Sequence, residues 1–313
     1  MAVYTDSPQF AAAFLSPKVA GELAPMDRPD QSMIPLLPGI FGHTEELLRA
    51  PFAQGDLPFP HLLLSEFAPG SNYDQLIELA RGKDPLPDGV ACLAGSGSEF
   101  HGFKGRSWAA VPGNIHLALH LAPRREMDRF GIAFTILAAL SVVDALGHIA
   151  GLEGRARIKW VNDILLEDAK IGGILAYTQS QGRIVSSAVL GIGVNVEATP
   201  VVEPTPFVPR VTSVRDFLPT SGPDLRERTF RSLLRALDEN YRTLLTDGVS
   251  PLLERYRECS MVLGEKVTVC TDSSDGTLEV VTQGRVMALG DDLELVVEGC
   301  PEPVRAGRLV LGR

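Results

Sequence analysis

Residues 114–121 alternate apolar and polar positions with period two, so Ile115, Leu117, Leu119 and Leu121 share one face of a predicted strand. Around that strand the chain reads as α/β from about residue 61. Strands are expected at 61–67 and 90–94, with a helix capped at Ser71-Asn72 running to Leu79-Ala80 between them. Asp128 opens an expected helix through Ile132, Ile136, Leu140 and Val143 to about Leu146, with Gly147 near its end. That helix is apolar almost all round, which predicts deep burial. Residues 157–160 form the next expected strand. A hairpin follows, with strands 164–166 and 170–177 about the polar turn Glu167-Asp168-Ala169, and then a strand over 186–196. After a proline-rich loop at 198–210, Asp224 caps an expected helix through Leu233, Leu237 and Leu244, and a second covers 251–259.

Both ends break this pattern. Residues 1–60 carry nine prolines between short segments and read as an irregular N-terminal extension, with one short helix over 44–49 capped by Thr44. Residues 263–313 hold short β runs with turn signals at Asp275-Gly276 and 290–292, the pattern of a small β-barrel. The expected division is therefore 1–60, an α/β (α+β) domain over 61–262, and a β domain over 263–313.

Composition narrows the function classes. The 313 residues are 45% hydrophobic and 22% charged, ordinary for a globular chain. A net charge of -10 opposes phosphate backbones, and Lys18, Arg28 and Arg49 are too few cations for a DNA-binding N-terminal domain. No nucleic-acid partner is expected. Without an uninterrupted run of about 18 apolar residues or a basic, apolar leader, the expectation is a cytoplasmic protein with no membrane partner. Cys92, Cys259, Cys270 and Cys300 form no CxxC pair and no zinc-ligand spacing. His116 and His120 are four residues apart on a strand, about 13 Å, too far to share an ion. No metal ligands are expected in the chain.

Two segments carry candidate chemistry. In 159–164 and 170–175, Lys159 enters on a strand with Asn162-Asp163 behind it, and Lys170 precedes Gly172-Gly173. Lysines supply point charges for carboxylate or phosphate, and paired glycines let a ligand approach the backbone. A surface lysine and a Gly-Gly bend would leave the same letters. Residues 95–108 form a glycine-rich stretch between strands with cations at Lys104 and Arg106. It suits a loop closing over an anion, or equally a plain surface loop.

Taken in order, these motifs resemble the biotin protein ligases of the biotin and lipoate ligase group. The family's Lys-Trp-Pro-Asn-Asp reads here Lys159-Trp160-Val161-Asn162-Asp163, and its lysine before paired glycines reads Lys170-Ile171-Gly172-Gly173. Its Gly-x-Gly-x-Asn strand matches Gly191-Ile192-Gly193-Val194-Asn195. Gly70-Ser71-Asn72 stands for Ser-Thr-Asn, and Gly105-Arg106-Ser107-Trp108 with Gly113-Asn114 for the end of the loop. The resemblance covers about 61–313. It implies a central mixed β-sheet with flanking helices plus a small C-terminal SH3-like β-barrel.

The activity implied is ATP- and Mg²⁺-dependent activation of biotin as biotinyl-adenylate. Transfer to a lysine of a biotin carboxyl carrier protein would follow, by a monomer or homodimer. Lys159 would be catalytic. Ser71, Asn72, His101, Gly102, Phe103, Gly172 and Gly173 would meet the acid. Lys104, Arg106, Trp108, Asn162, Asp163, Lys170 and Asn195 would meet the nucleotide.

The loop departs from the family's Gln-x-x-Gly-Arg-Gly-Arg. Gly97 replaces the glutamine, Phe100 the first glycine, and His101 and Phe103 the two arginines, while Gly102 is kept. Neither His nor Phe offers the planar bidentate fork of arginine. A ligase for another carboxylate such as lipoate or octanoate, and a catalytically weak ligand-binding homologue, are therefore the alternatives.

Overall fold

The computed structural model describes residues 1–312 apart from 28–29, 44, 54, 83–84 and 273–277. The N-terminal sixty residues correct the expected irregular extension, for they belong to the main sheet. Strand β1 (Ala2–Thr5) is wholly buried. Helices α1 (Pro8–Ala12) and α2 (Pro17–Gly21) follow, each with proline at its first turn and a serine cap. Ser7 Oγ accepts from Phe10 N at 3.2 Å and Ser16 Oγ from Val19 N at 3.4 Å. The prolines that read as breakers are thus helix starters, since a first-turn residue needs no N–H partner. Strand β2 (Ala24–Pro25), helix α3 (Leu37–Phe41) and strand β3 (Leu48–Pro51) complete the segment. The helix expected over 44–49 is overturned at Leu48 and Arg49, which pair with Thr5 and Tyr4 as strand, while its cap Thr44 lies outside the described residues. Cross-strand pairing overrides local helix propensity here.

The α/β run follows: β4 (His61–Ala68), α4 (Asn72–Ala80), β5 (Val90–Gly97), β6 (Ile115–Leu121) and β7 (Arg125–Glu126). Next come α5 (Phe130–Gly147), β8 (Ala156–Lys159), β9 (Asp163–Leu166), β10 (Ala169–Gln181) and β11 (Ile184–Val194). The large sheet runs β2-β3-β1-β4-β5-β6-β11-β10-β9-β8, with β7 paired to β11. It is mixed: β1, β4 and β5 are parallel neighbours and the remaining pairs antiparallel.

Helix α5 is long and apolar enough to cross a membrane by length and composition, but much of it is buried inside the fold. With α7 (Leu225–Thr246) and α8 (Ser250–Cys259), which follow the short α6 (Val214–Phe217), it covers one face of the sheet. Its cap differs from expectation. Arg129 takes the cap position in the left-handed region, and Asp128 instead pairs with Arg183. Phe14, from the N-terminal segment, meets Phe230 of α7 edge to face at 5.1 Å, so the first sixty residues share this core.

Strands β12 (Lys266–Asp272), β13 (Leu278–Leu289), β14 (Leu295–Val297) and β15 (Arg308–Leu311) form a second, antiparallel sheet in the order β14-β13-β12-β15. The turn expected at Asp275-Gly276 lies outside the described residues. Trp160 Nε1 donates to Leu293 O at 2.7 Å and Arg257 Nε to Leu289 O at 3.0 Å, anchoring this sheet beside the Lys159 strand.

Candidate functional site

Register builds the site. Across the large sheet, Lys159 pairs with Asp163, Asp163 with Gly173, Gly173 with Gly193, Gly193 with His116, and His116 with Ala94. Residues directly opposite on neighbouring strands share a face. Two glycines in the middle of this row clear a floor between Asp163 and His116. The indole of Trp108 lies on that floor: a Cβ on Gly193 would stand 2.4 Å from its Cζ2, and one on Gly173 would stand 3.5 Å from its Cζ3. Trp108 Nε1 donates to His116 Nδ1 at 3.3 Å, and His116 Nε2 faces the Val111 carbonyl at 3.1 Å. These contacts assign the neutral Nε2–H tautomer, and burial agrees by pushing His116 down to about 4.

Above the floor is a cavity of about 250 Å³. One wall is the start of α4. Ser71 caps the helix by accepting from Asp74 N at 3.3 Å, and Asn72 and Tyr73 face the cavity. Asn72 is 1% exposed, and neither of its amide atoms has a protein partner. The loop between β5 and β6 closes the cavity with Phe100, His101, Gly102, Phe103, Arg106 and Trp108.

A smaller cavity of about 70 Å³ adjoins it and holds Lys159. Asp163, Lys170 and Val208 line both cavities, so residues 205–208 form the partition between them. Lys159 is 6% exposed, and its ammonium donates to the Phe207 carbonyl. Burial lowers it to about 8; Asp163 opposes that shift, while Lys170, Arg308 and Arg106 reinforce it. Lys170 Nζ sits 2.5 Å from Asp163 Oδ1. Arg308, from the second sheet, stacks its guanidinium 3.6 Å from the centre of the Phe207 ring. Four cations and one carboxylate therefore meet in a chain whose net charge is -10.

The sequence model described as the biotin/lipoate A/B protein ligase family matches residues 81–195. The "Biotin--[acetyl-CoA-carboxylase] ligase" of Paracoccus denitrificans is 31% identical over 214 residues, 67% of this chain and 82% of the relative. This chain belongs to the biotin protein ligase family. The "Bifunctional ligase/repressor BirA" of Bacillus subtilis (strain 168) is 27% identical over 215 residues, 68% of this chain but only 62% of the relative's length. The fold is that of the biotin protein ligase from Aquifex aeolicus solved in complex with biotin and ATP. The TM-score is 0.63 at 19% identity, covering 82% of this chain and 100% of that one.

Most of the residues singled out from the family motifs converge. Ser71, Asn72, His101, Gly102, Phe103, Arg106, Trp108, Asn162, Asp163, Lys170, Gly173 and Asn195 all line the larger cavity. Three do not. Lys159 lies in the adjoining one. Gly172 packs against backbone, since a Cβ there would stand 2.9 Å from Gly193 O. Lys104 sits on an exposed 3₁₀ turn with φ 59°. Asn195 lines the wall, yet its Nδ2 donates to Thr212 O at 3.0 Å and its Oδ1 accepts from Asn114 at 3.4 Å, so the amide braces neighbouring loops. Asp74, Phe207 and Arg308 are absent from the residues the sequence points to, and His116 enters there only as half of a rejected metal pair. Only His116 left a signal, because alternation along 114–121 puts it on the face opposite Ile115 and Leu117.

The altered loop repacks as a unit. A Cβ on Gly97 would stand 2.4 Å from Phe100 Cε2 and 2.7 Å from Ala68 O. The Phe100 ring, set edge to face with His116 at 5.7 Å, fills the space a side chain at 97 would need. Gly97→Ala is expected to cost about 1–3 kcal/mol by overpacking. Adding Phe100→Gly should recover the part owed to the ring but not the clash with Ala68 O. A double-mutant cycle on urea midpoints checks this coupling, and additive costs would refute it.

Proposed function

We propose that the protein activates biotin as biotinyl-adenylate with ATP and transfers it to a lysine of a biotin carboxyl carrier protein or domain. The observation that carries this reading is the gathering of Lys170, Arg308 and Arg106 around the buried Lys159, beside an apolar cavity. Attack of a carboxylate on the α-phosphate brings two anions together, and fixed cations in a water-poor site offset that repulsion. In this reading Lys159 bridges the carboxylate and the α-phosphate. Lys170, Arg106 and Arg308 neutralise the remaining phosphate charge. The carboxylate oxygen bonds to phosphorus and the phosphorus–oxygen bond to pyrophosphate breaks. A neutral acceptor amine then attacks the acyl carbon, AMP leaves, and the amine loses its proton. Mg²⁺ would enter with the phosphates, and Asp163, which lines both cavities, is one carboxylate that would hold it. Such an ion keeps much of its water and needs only one or two carboxylates, and it would balance phosphate charge.

Asn72 supports biotin over the other acids. A buried amide with one donor group and one acceptor is complementary to a cyclic urea, whereas the tails of lipoate and octanoate offer no such pair. The substitutions at Gly97, His101 and Phe103 favour the second reading, another carboxylate. The test is pyrophosphate release with biotin, lipoate and octanoate in turn. Biotin is expected to dominate, and Asn72→Leu should lower its kcat/KM by roughly 10- to 100-fold while sparing any octanoate rate. Turnover with lipoate or octanoate equal to that with biotin would sink the proposal.

A further inference from the structure

His101 ties the loop over the cavity to helix α4, and both of its ring nitrogens face acceptors. Nε2 lies 2.7 Å from Asp74 Oδ2 and Nδ1 lies 3.1 Å from Gly102 O. Neutral imidazole carries one N–H, so serving both acceptors requires the imidazolium. Asp74 stands on a firm support. It is in the first turn of α4, with its backbone N–H held by Ser71, and the same turn presents Asn72 and Tyr73 to the cavity. The Tyr73 ring meets His101 edge to face at 6.3 Å. Where the resembled family carries a permanent arginine, this loop therefore carries a cation that a change of pH removes.

We propose that Asp74 is a positioning residue which, with His101, forms a proton-dependent latch holding loop 98–108 over the cavity before any ligand arrives. Its consequence for turnover rests on the carboxylate-activating function proposed above; the latch itself does not. The groups facing His101 are Asp74 and Tyr73 from α4 and the Gly102 carbonyl from its own loop. Arg106 is turned away, its Nε donating to Phe103 O at 2.9 Å. The Gly102 carbonyl, and then Asp74, hold His101 above its ordinary 6.5 against partial burial. A raised value means the latch is complete at acid pH and is lost as pH rises through the folded value.

Trypsin reads the latch in the ligand-free protein, because the loop offers cleavage after Lys104 and Arg106. At pH 6.0 the native loop should be cut about fivefold more slowly than that of Asp74→Asn, the upper end for a half-exposed ion pair. At pH 8.5 the two should be cut alike, and Asp74→Glu should restore slow cutting at pH 6.0. Comparing variants at one pH cancels the protease's own pH dependence. The Ser71 cap uses only the Asp74 backbone, so the substitution leaves the helix start in place. Equal cutting of native and Asp74→Asn protein at pH 6.0 overturns the latch. A second measurement, the biotin dissociation rate, separates the two readings. Dissociation should quicken more from pH 6.0 to 8.5 in the native protein than in Asp74→Asn, where loss of the Lys159 ammonium is the remaining contribution. Protection without biotin binding at any pH would overturn the substrate reading and leave the latch; biotin binding with an unaltered pH profile in Asp74→Asn would overturn the latch alone.

Discussion

Lys159→Met is expected to lower biotin-dependent pyrophosphate release by about 10³-fold while the chain stays folded. Removing one preorganised donor from a charge-developing site costs about 10²–10³-fold, and Lys159 would serve two anions at once. Methionine keeps the length and apolar stem that pack at a 6% exposed position. The native enzyme should show a matching pH profile: with Lys159 near 8, kcat/KM falls as pH rises past that value and the ammonium is lost. Stability moves the other way. The unfolded lysine keeps its proton up to about 10.5 and the folded one loses it near 8, so between these values the unfolded state binds more protons and stability rises with pH. The full span corresponds to about 3 kcal/mol. Urea unfolding at pH 7.5 and 10.5 should therefore show native protein gaining on Lys159→Met as pH rises. A constant difference would show that burial does not burden Lys159, and an unaltered rate would remove it from the chemistry.

Gly193→Ala should weaken ligand binding by about 100-fold with little loss of fold. Its new methyl would stand 2.4 Å from Trp108 Cζ2, 2.5 Å from Cε2 and 3.0 Å from Nε1. Such distances force a shift, and the indole, held to His116, moves only by breaking that bond. Its departure would carry the end of the loop off the cavity. Gly193 is only half-buried, so the β10-β11-β6 pairing around it should survive. Isothermal titration with biotin and the unfolding midpoint would separate the two effects. Binding unchanged, with Trp108 fluorescence unchanged, would show that the indole does not close this site.

Local pattern was enough for much of the molecule. Alternation along 114–121, the serine cap at Ser71 and the polar turn at Glu167-Asp168 gave β6, α4 and the β9–β10 hairpin, because each depends on neighbours a few residues away. The second glycine of the Gly-x-Gly-x-Asn motif has a related local reason: the Trp108 indole lies so close to Gly193 that a side chain there would clash. Pairing at long range was not legible. Nothing within residues 1–60 says that Ala2 will lie beside His61, and prolines that start helices look like breakers until their serine caps are seen. Asp74 meets His101 across 27 positions, Lys159 meets Phe207 across 48, and Arg308 reaches the same cluster from the second sheet. Such contacts arise only when separate strands and helices dock. The sequence alone determined the order of the lysine, glycine and asparagine motifs and the family they resemble; the tertiary structure decided that Lys159 lies behind a partition, that Asn72 faces the cavity without a partner, and that Phe100 fills the space beside Gly97, because side chains far apart in the chain compete there for the same volume and the same hydrogen bonds.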